Sequence, residues 1–369
     1  MRPSHILRSW GKVLLGHTPM LSIEVTRECP LRCPGCYAYG SDHLGGSVTL
    51  RELSDYRGDA LIHGVLGLVD RHKPLHVTLV GGEPMVRHRE LGAILPELSR
   101  RQIYSMIVTS GILPIPLEWM SLPRFTAAVS IDGLPEHHNI RRQPATYDRI
   151  LQNIAGRTIN VHWTITAQML ARPDYLQDYV RFWGNRSEVH RIWVSFYTPQ
   201  SGEESAERLS PAQRQQAAYE LARLRKIYPK LLTPTGYAQA LLHPPQSPSK
   251  CTFSRLSRNY SADLRTHVEP CVFGGNPDCA QCGCSASAGA HWVSNMRVAG
   301  PIRAGHLLRA SMSIGSAFAR MQRLTLPSWQ QRNQSAAPAK GTALVQISKQ
   351  SESNTGSRSL LRPARRLSS

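Results

Sequence analysis

Three cysteines, Cys29, Cys33 and Cys36, stand in the run Glu28-Cys29-Pro30-Leu31-Arg32-Cys33-Pro34-Gly35-Cys36-Tyr37. Separated by three and then two residues, their thiolates can converge on one small metal or cluster site and supply one ligand fewer than a closed site needs. An open coordination position is where chemistry can happen. The spacing alone leaves a redox cluster and a structural metal both open, because a zinc site could borrow a histidine. Five more cysteines, Cys251, Cys271, Cys279, Cys282 and Cys284, follow the Pro-rich break His243-Pro244-Pro245-Gln246-Ser247-Pro248.

The elements that must position these thiols are legible as alternating strand-like and helix-like pieces between Leu21 and Tyr228, the pattern of a parallel sheet with covering helices. Six strands are predicted: Leu21 to Thr26, Leu75 to Val80, Tyr104 to Thr109, Ala127 to Ile131, Asn160 to Thr166 and Arg191 to Phe196. Thr49-Leu50-Arg51-Glu52 has the form of a capping box opening a helix that runs to His72, and Ser210-Pro211 with Gln213 opens another to Tyr228. The expected fold is α/β, a partial (β/α)6 TIM-like barrel. The cysteine triplet, Gly81-Gly82-Glu83-Pro84 and Ser130-Ile131-Asp132-Gly133 all fall at or just after strand ends, so they are expected on one face.

The chain has 369 residues and a formal net charge of +19. Such a balance suggests nucleic acid or an anionic membrane surface. Its distribution weakens that inference, because the stretch from Arg297 to the end holds twelve Lys and Arg against Glu352 alone. That stretch is also poor in large apolar residues, and disorder is expected from about Arg323 onward. No run reaches the roughly twenty apolar residues of a membrane span. The N-terminus shows no convincing cleavage signal, so the chain reads as cytoplasmic, with its thiols reduced and available to metals.

On the triplet and the Gly81-Gly82-Glu83-Pro84 turn, the region from Leu21 to Tyr228 resembles the radical S-adenosylmethionine (SAM) enzymes. The resemblance implies a 4Fe-4S cluster on Cys29, Cys33 and Cys36, whose fourth iron chelates SAM. An electron passed to the sulfonium would give a 5′-deoxyadenosyl radical that abstracts hydrogen from a substrate. It further implies that Gly81, Gly82, Glu83 and Pro84 lie at the SAM methionyl group, that Ser130 contacts the ribose, and that Arg142 engages the SAM carboxylate. One departure is Gly35, where the family usually carries an aromatic beside the adenine; Tyr37 is a candidate substitute.

The second cysteine group, with a turn at Ala262-Asp263 between Cys251 and Cys271, resembles the auxiliary-cluster domain of the SPASM/Twitch type. A four-iron cluster takes at most four thiolates. The expected set is Cys251, Cys271, Cys279 and Cys282, with Cys284 spare or a substitute, and a structural zinc site is the alternative. The expected organisation is an extension over 1–20, a radical SAM core over 21–235, an auxiliary-cluster domain over 236–296 and a mostly disordered basic tail over 297–369. Expected partners are a peptide or small-molecule substrate and an electron donor of the flavodoxin or ferredoxin type. His43, His162 and the region of Tyr197 are placed near the barrel mouth without a role, and no catalytic acid or base is named. The rival reading is a zinc or iron–sulfur nucleic-acid-binding protein with structural cysteines, its tail tracking phosphates. It gives Gly81 to Pro84 and the strand alternation no purpose.

Overall fold

Seven parallel strands form one sheet in the order β6-β5-β4-β3-β2-β1-β7. The protein is seen in a computed structural model that describes residues 3–40, 43–46 and 48–325. Helix α1 (Pro3–Leu14) leads into β1 (Met20–Glu24), α2 (Gly58–His72), β2 (His76–Val80), α3 (His88–Arg100), β3 (Tyr104–Thr109) and β4 (Phe125–Ser130). Then follow α4 (Pro135–Arg141), α5 (Tyr147–Ile154), β5 (Ile159–Ile165), α6 (Tyr175–Gly184), β6 (Val189–Phe196) and α7 (Pro211–Ile227). The chain continues through α8 (Thr235–Leu242), α9 (Thr252–Leu256), β7 (Ser257–Tyr260) and α10 (Ser285–Asn295), and then β8 (Arg297–Ala299), β9 (Ile302–Arg303) and α11 (Ala304–Thr325).

All six expected strands are present within one or two residues of their expected ends. The alternation of side chains along each strand divides the sheet into two unlike faces. Leu21 and Ile23, Val77 and Leu79, Val161 and Trp163 turn outward into the helical layer, where they pack with Leu61, Val65, Leu91 and Ile94 in the main core. Each such aliphatic side chain, fully buried, contributes about 1.5–3 kcal/mol. Their strand neighbours, Ser22, Glu24, Ser130, Asn160 and His162, lie on the opposite face, which is polar.

The seventh strand was not expected. β7 pairs parallel with β1, Ser22 opposite Asn259 and Ile23 opposite Tyr260, so the segment expected as a hairpin between Cys251 and Cys271 is partly recruited into the main sheet. The hairpin itself is also formed: Ser261 N–H donates to Thr266 O at 2.8 Å and Val268 N–H to Asn259 O at 3.0 Å, Tyr260 bridges His267 antiparallel, and Asp263 accepts from the Thr266 amide at 2.8 Å and its hydroxyl at 2.7 Å.

The capping box at Thr49 is formed but closes a single 3-10 turn, Leu50–Glu52. The helix starts at Gly58 instead, and Asp55 in the intervening stretch accepts from Arg87 (2.6 Å) and Thr26 (3.0 Å). The box at Ser210 does open its helix, with Pro211 in the first turn.

Part of the stretch expected as a tail is ordered. α11 packs against α1, the Trp10 indole N–H donating to Ser311 at 2.7 Å, and a Cβ on Gly315 would stand 1.9 Å from Val13 O. The contact surface of α11 is built of small residues, so no apolar stripe announces it. The disorder expected beyond Arg323 concerns residues that, after Thr325, lie outside those described. No helix is long and apolar enough to cross a membrane among the described residues.

Candidate metal centre and cofactor site

The loop carrying the triplet leaves the end of β1 and is fastened to the turn after β2. Gly82 N–H donates to Thr26 O at 2.9 Å and Glu83 N–H to Glu28 O at 2.7 Å. A Cβ on Gly81, whose φ is +136°, would stand 2.5 Å from Thr26 O, and one on Gly82 would stand 2.2 Å from Glu28 O. The two glycines are therefore demanded by the backbone of the cysteine loop itself, which leaves no room for a side chain. Arg87, buried just beyond Pro84, reinforces the seam by donating to Glu28 at 3.1 Å.

Glu83 does not project into open space. Its buried carboxylate accepts from the Met85 amide (3.0 Å), the Thr109 hydroxyl (2.6 Å), and the amide (2.8 Å) and hydroxyl (2.6 Å) of Ser110. Four donors neutralise a charge that would otherwise be costly to bury, and they bind the Gly-Gly-Glu-Pro turn to the end of β3.

Cys33, Gly35 and Cys36, with Arg32, Tyr39 and Arg51, line a cavity of about 640 Å3. Cys29 lines a second of about 440 Å3 with Arg27 and Glu28. Burial is the main influence pushing the Cys29 thiol up to about 11, helped by Glu83, Cys33 and Cys36. It raises Cys33 as well, against the pull of Arg142. Thiolates so placed form readily only against a compensating cation, and three of them with one coordination position missing suit an iron–sulfur group. Among the described residues no three His, Cys, Asp or Glu side chains close on a single-ion point in this conformation.

Gly35 has φ +60°, and a Cβ there would meet the Tyr197 hydroxyl and Glu207 at 2.9 Å. The ring that lies against Gly35 is thus Tyr197, from the loop after β6. Tyr37 turns elsewhere, edge-on to Phe273 with ring centres 5.3 Å apart.

Ser130 ends β4 opposite His162 on the polar face. Arg142 is held by Asp132, its Nε 2.8 Å and one Nη 2.7 Å from the same carboxylate oxygen, and Arg141 Nε adds a third contact at 3.1 Å. Burial works to raise Asp132, but Arg142, Arg141 and the Thr164 amide outweigh it and hold the carboxyl well below the usual range. Arg142 lies close enough to Cys33 and Cys36 to share their electrostatics. His138 is kept neutral: burial, then Arg142, pushes it down to about 4, and its Nδ1 accepts the Asp132 amide at 3.0 Å. His162 meets Ser195 at 2.9 Å.

The segment carrying the second cysteine group is tied to the loop after β6 and to His43, beyond β1. Near β6, Phe196 N–H donates to Gly283 O at 3.0 Å and Asp278 N–H to Pro199 O at 2.9 Å. Near β1, the ring of His43 meets Phe273 O at 2.8 Å. Buried Arg214 of α7 donates to Gln281 O and Cys282 O, both at 2.9 Å. Burial drives Cys271 up to about 12 and Cys279 to about 11, and raises Cys282. Neighbouring cysteines add to the effect of burial at Cys271, Cys279 and Cys282, and Cys284, fully buried, is likewise raised by burial and by Cys282 and Cys271.

Asp132, Arg87, Glu24 and Arg214 do much of the positioning and had no role in the sequence reading. Glu24 gave a signal, as a carboxylate between Ile23 and Val25 in an otherwise apolar run, and Asp132 stood in the quoted strand-end run without a role. The rest find their partners only through tertiary contacts.

No family model matches the chain. The PqqA peptide cyclase of Granulibacter bethesdensis is 34% identical to it over 94 residues, 25% of this chain and 22% of that protein. The chain therefore aligns with less than a quarter of this curated relative. Streptococcus suis SuiB bound to precursor peptide SuiA superposes with a TM-score of 0.51 at 15% identity, over 70% of this chain and 61% of that one. Native anSMEcpe with bound AdoMet gives 0.50 at 15% identity, over 82% and 97%. These two likenesses establish the fold. Over the stretch of 94 residues the chain is also similar in sequence to the cyclase.

Proposed function

We propose that the protein reductively cleaves SAM and uses the resulting radical to abstract hydrogen from a peptide substrate. The observation that carries this reading is the seam between the triplet loop and the Gly81-Gly82 turn, which sets three thiols, one ligand short of a closed site, beside open cavities. Held by Cys29, Cys33 and Cys36, a 4Fe-4S cluster would supply the electron that breaks the carbon–sulfur bond of SAM. Gly81 and Gly82 would offer backbone to the methionyl group, with Ser130 at the ribose. Arg142, aimed by Asp132, would present its free N–H groups to the carboxylate; a guanidinium fork suits that task.

Cys251, Cys271, Cys279 and Cys282 are proposed to hold a second 4Fe-4S cluster, in an auxiliary module over 236–296 attached to a core over 21–235. Their mutual influence, with Cys282 gripped by Arg214, supports this choice, and Cys284 is kept as the spare or substitute. A peptide substrate is supported by the PqqA peptide cyclase match and by SuiB, which binds a precursor peptide. A flavodoxin or ferredoxin is the proposed electron donor.

The test is anaerobic reconstitution followed by incubation with dithionite and SAM. Formation of 5′-deoxyadenosine with about eight irons per chain is expected for two four-iron clusters. Absence of 5′-deoxyadenosine from fully reconstituted protein would refute the reading.

A further inference from the structure

Between the two cysteine groups lies a buried pair that the proposed chemistry does not use. His43 is 1% exposed and Glu24 4%. One ring nitrogen of His43, Nδ1, is 2.8 Å from Phe273 O, and the other, Nε2, is 2.7 Å from Glu24 Oε1. A carbonyl oxygen can only accept, so Nδ1 must carry a proton. The second contact is a carboxylate oxygen whose sister oxygen already meets the Ser261 hydroxyl at 2.5 Å. An ionised Glu24 accepting from both Nε2–H and Ser261 requires His43 to be protonated on both nitrogens; a neutral pair would require the proton on Glu24.

The surroundings place this pair between the sites. The Tyr37 ring, next in sequence to Cys36, tilts against the His43 ring at 5.6 Å and meets Phe273 edge-on. Phe273 follows Cys271 by two residues, and a Cβ on Gly274 would stand 1.8 Å from His43 O. Among the described residues, the titratable side chains facing His43 are Glu24 and Tyr37. Burial opposes a charge on His43, but the Glu24 bond overcomes it and raises the imidazole above its ordinary value.

We propose that His43 is held as an imidazolium on Glu24, and that this buried ion pair fixes the local electrostatic potential felt by both cysteine sites. In so dry a place the field of an uncancelled charge is weakly screened. His43 is a positioning residue: it touches neither cysteine group and acts through Glu24 and Phe273. The inference rests on the iron–sulfur reading above, and the experiment separates the two.

The experiment compares reconstituted full-length wild type, His43→Gln and Glu24→Gln at pH 8, with iron content measured and midpoint potentials read by redox titration. His43→Gln leaves the Glu24 carboxylate uncancelled. Its potentials should fall by at least a tenfold change in the one-electron equilibrium, about 59 mV, whereas those of Glu24→Gln should not fall. Full iron content with unshifted potentials in His43→Gln overturns the imidazolium. Wild type that takes up no iron overturns the iron–sulfur reading and this inference with it. If His43→Gln alone loses iron, nitrogen NMR of histidine-labelled wild type decides: two protonated ring nitrogens on His43 uphold the pair, and one bare nitrogen overturns it.

Discussion

Cys29, Cys33 and Cys36 sit on a loop whose other wall is open cavity, whereas Cys251, Cys271, Cys279 and Cys282 lie on a segment tied to α7 and to the loop after β6. The first group is short of a ligand and lined by basic side chains, Arg32 and Arg51 on the cavity and Arg142 nearby. The second, on the proposed ligand set, would have its ligand number complete, and its backbone is gripped by Arg214. The difference assigns the labour: an incomplete site suits binding and chemistry, a complete one suits holding charge or electrons.

The comparison is sharpest in a pair of substitutions. Cys33→Ala should abolish 5′-deoxyadenosine formation and remove about four irons per chain, while Cys282→Ala should remove about four irons yet leave 5′-deoxyadenosine formation measurable. If both variants lose the product equally, the division of labour is wrong.

Asp132→Asn attacks the first site only. It leaves Arg142 and Arg141 without their shared buried partner, at a cost of about 3–5 kcal/mol in urea unfolding. Because the native carboxyl is depressed, Asp132 stabilises the fold above the unfolded value near 4 and loses that contribution as pH falls through its native value. The variant should therefore show a shallower loss of stability on acidification.

Gly82→Ala forces a methyl group onto Glu28 O and should cost about 1–3 kcal/mol. It should also weaken SAM binding, measured by calorimetry, while leaving the iron at the second site in place. Smallest of all, Cys284→Ala should leave iron content unchanged and stability within about 1 kcal/mol. A loss of about four irons there would make Cys284 a ligand and one of its neighbours the spare.

The six strands and the triplet were legible because each is written locally, in apolar alternation or in spacing. Gly81 and Gly82 were legible as a close approach, although the nearest backbone is that of the cysteine loop and the motif alone does not say so. Gly35 was visible as a departure, but that Tyr197 would fill the adjacent space depends on a loop more than 150 residues away. β7 was missed because a four-residue strand, Ser-Arg-Asn-Tyr, has no apolar pattern of its own and exists only by pairing with β1. The helix α11 was missed for a related reason, its buried positions being Gly305, Ser311 and Gly315.

The β1–β7 pairing also constrains how the chain can be made. During synthesis β1 emerges early and gains β2, but its other edge stays unpaired until residues 257–260 have left the ribosome. An open edge of that kind invites pairing with another chain. The segment that closes it runs directly between Cys251 and Cys271, so the strand that completes the sheet also fixes where these two thiols stand.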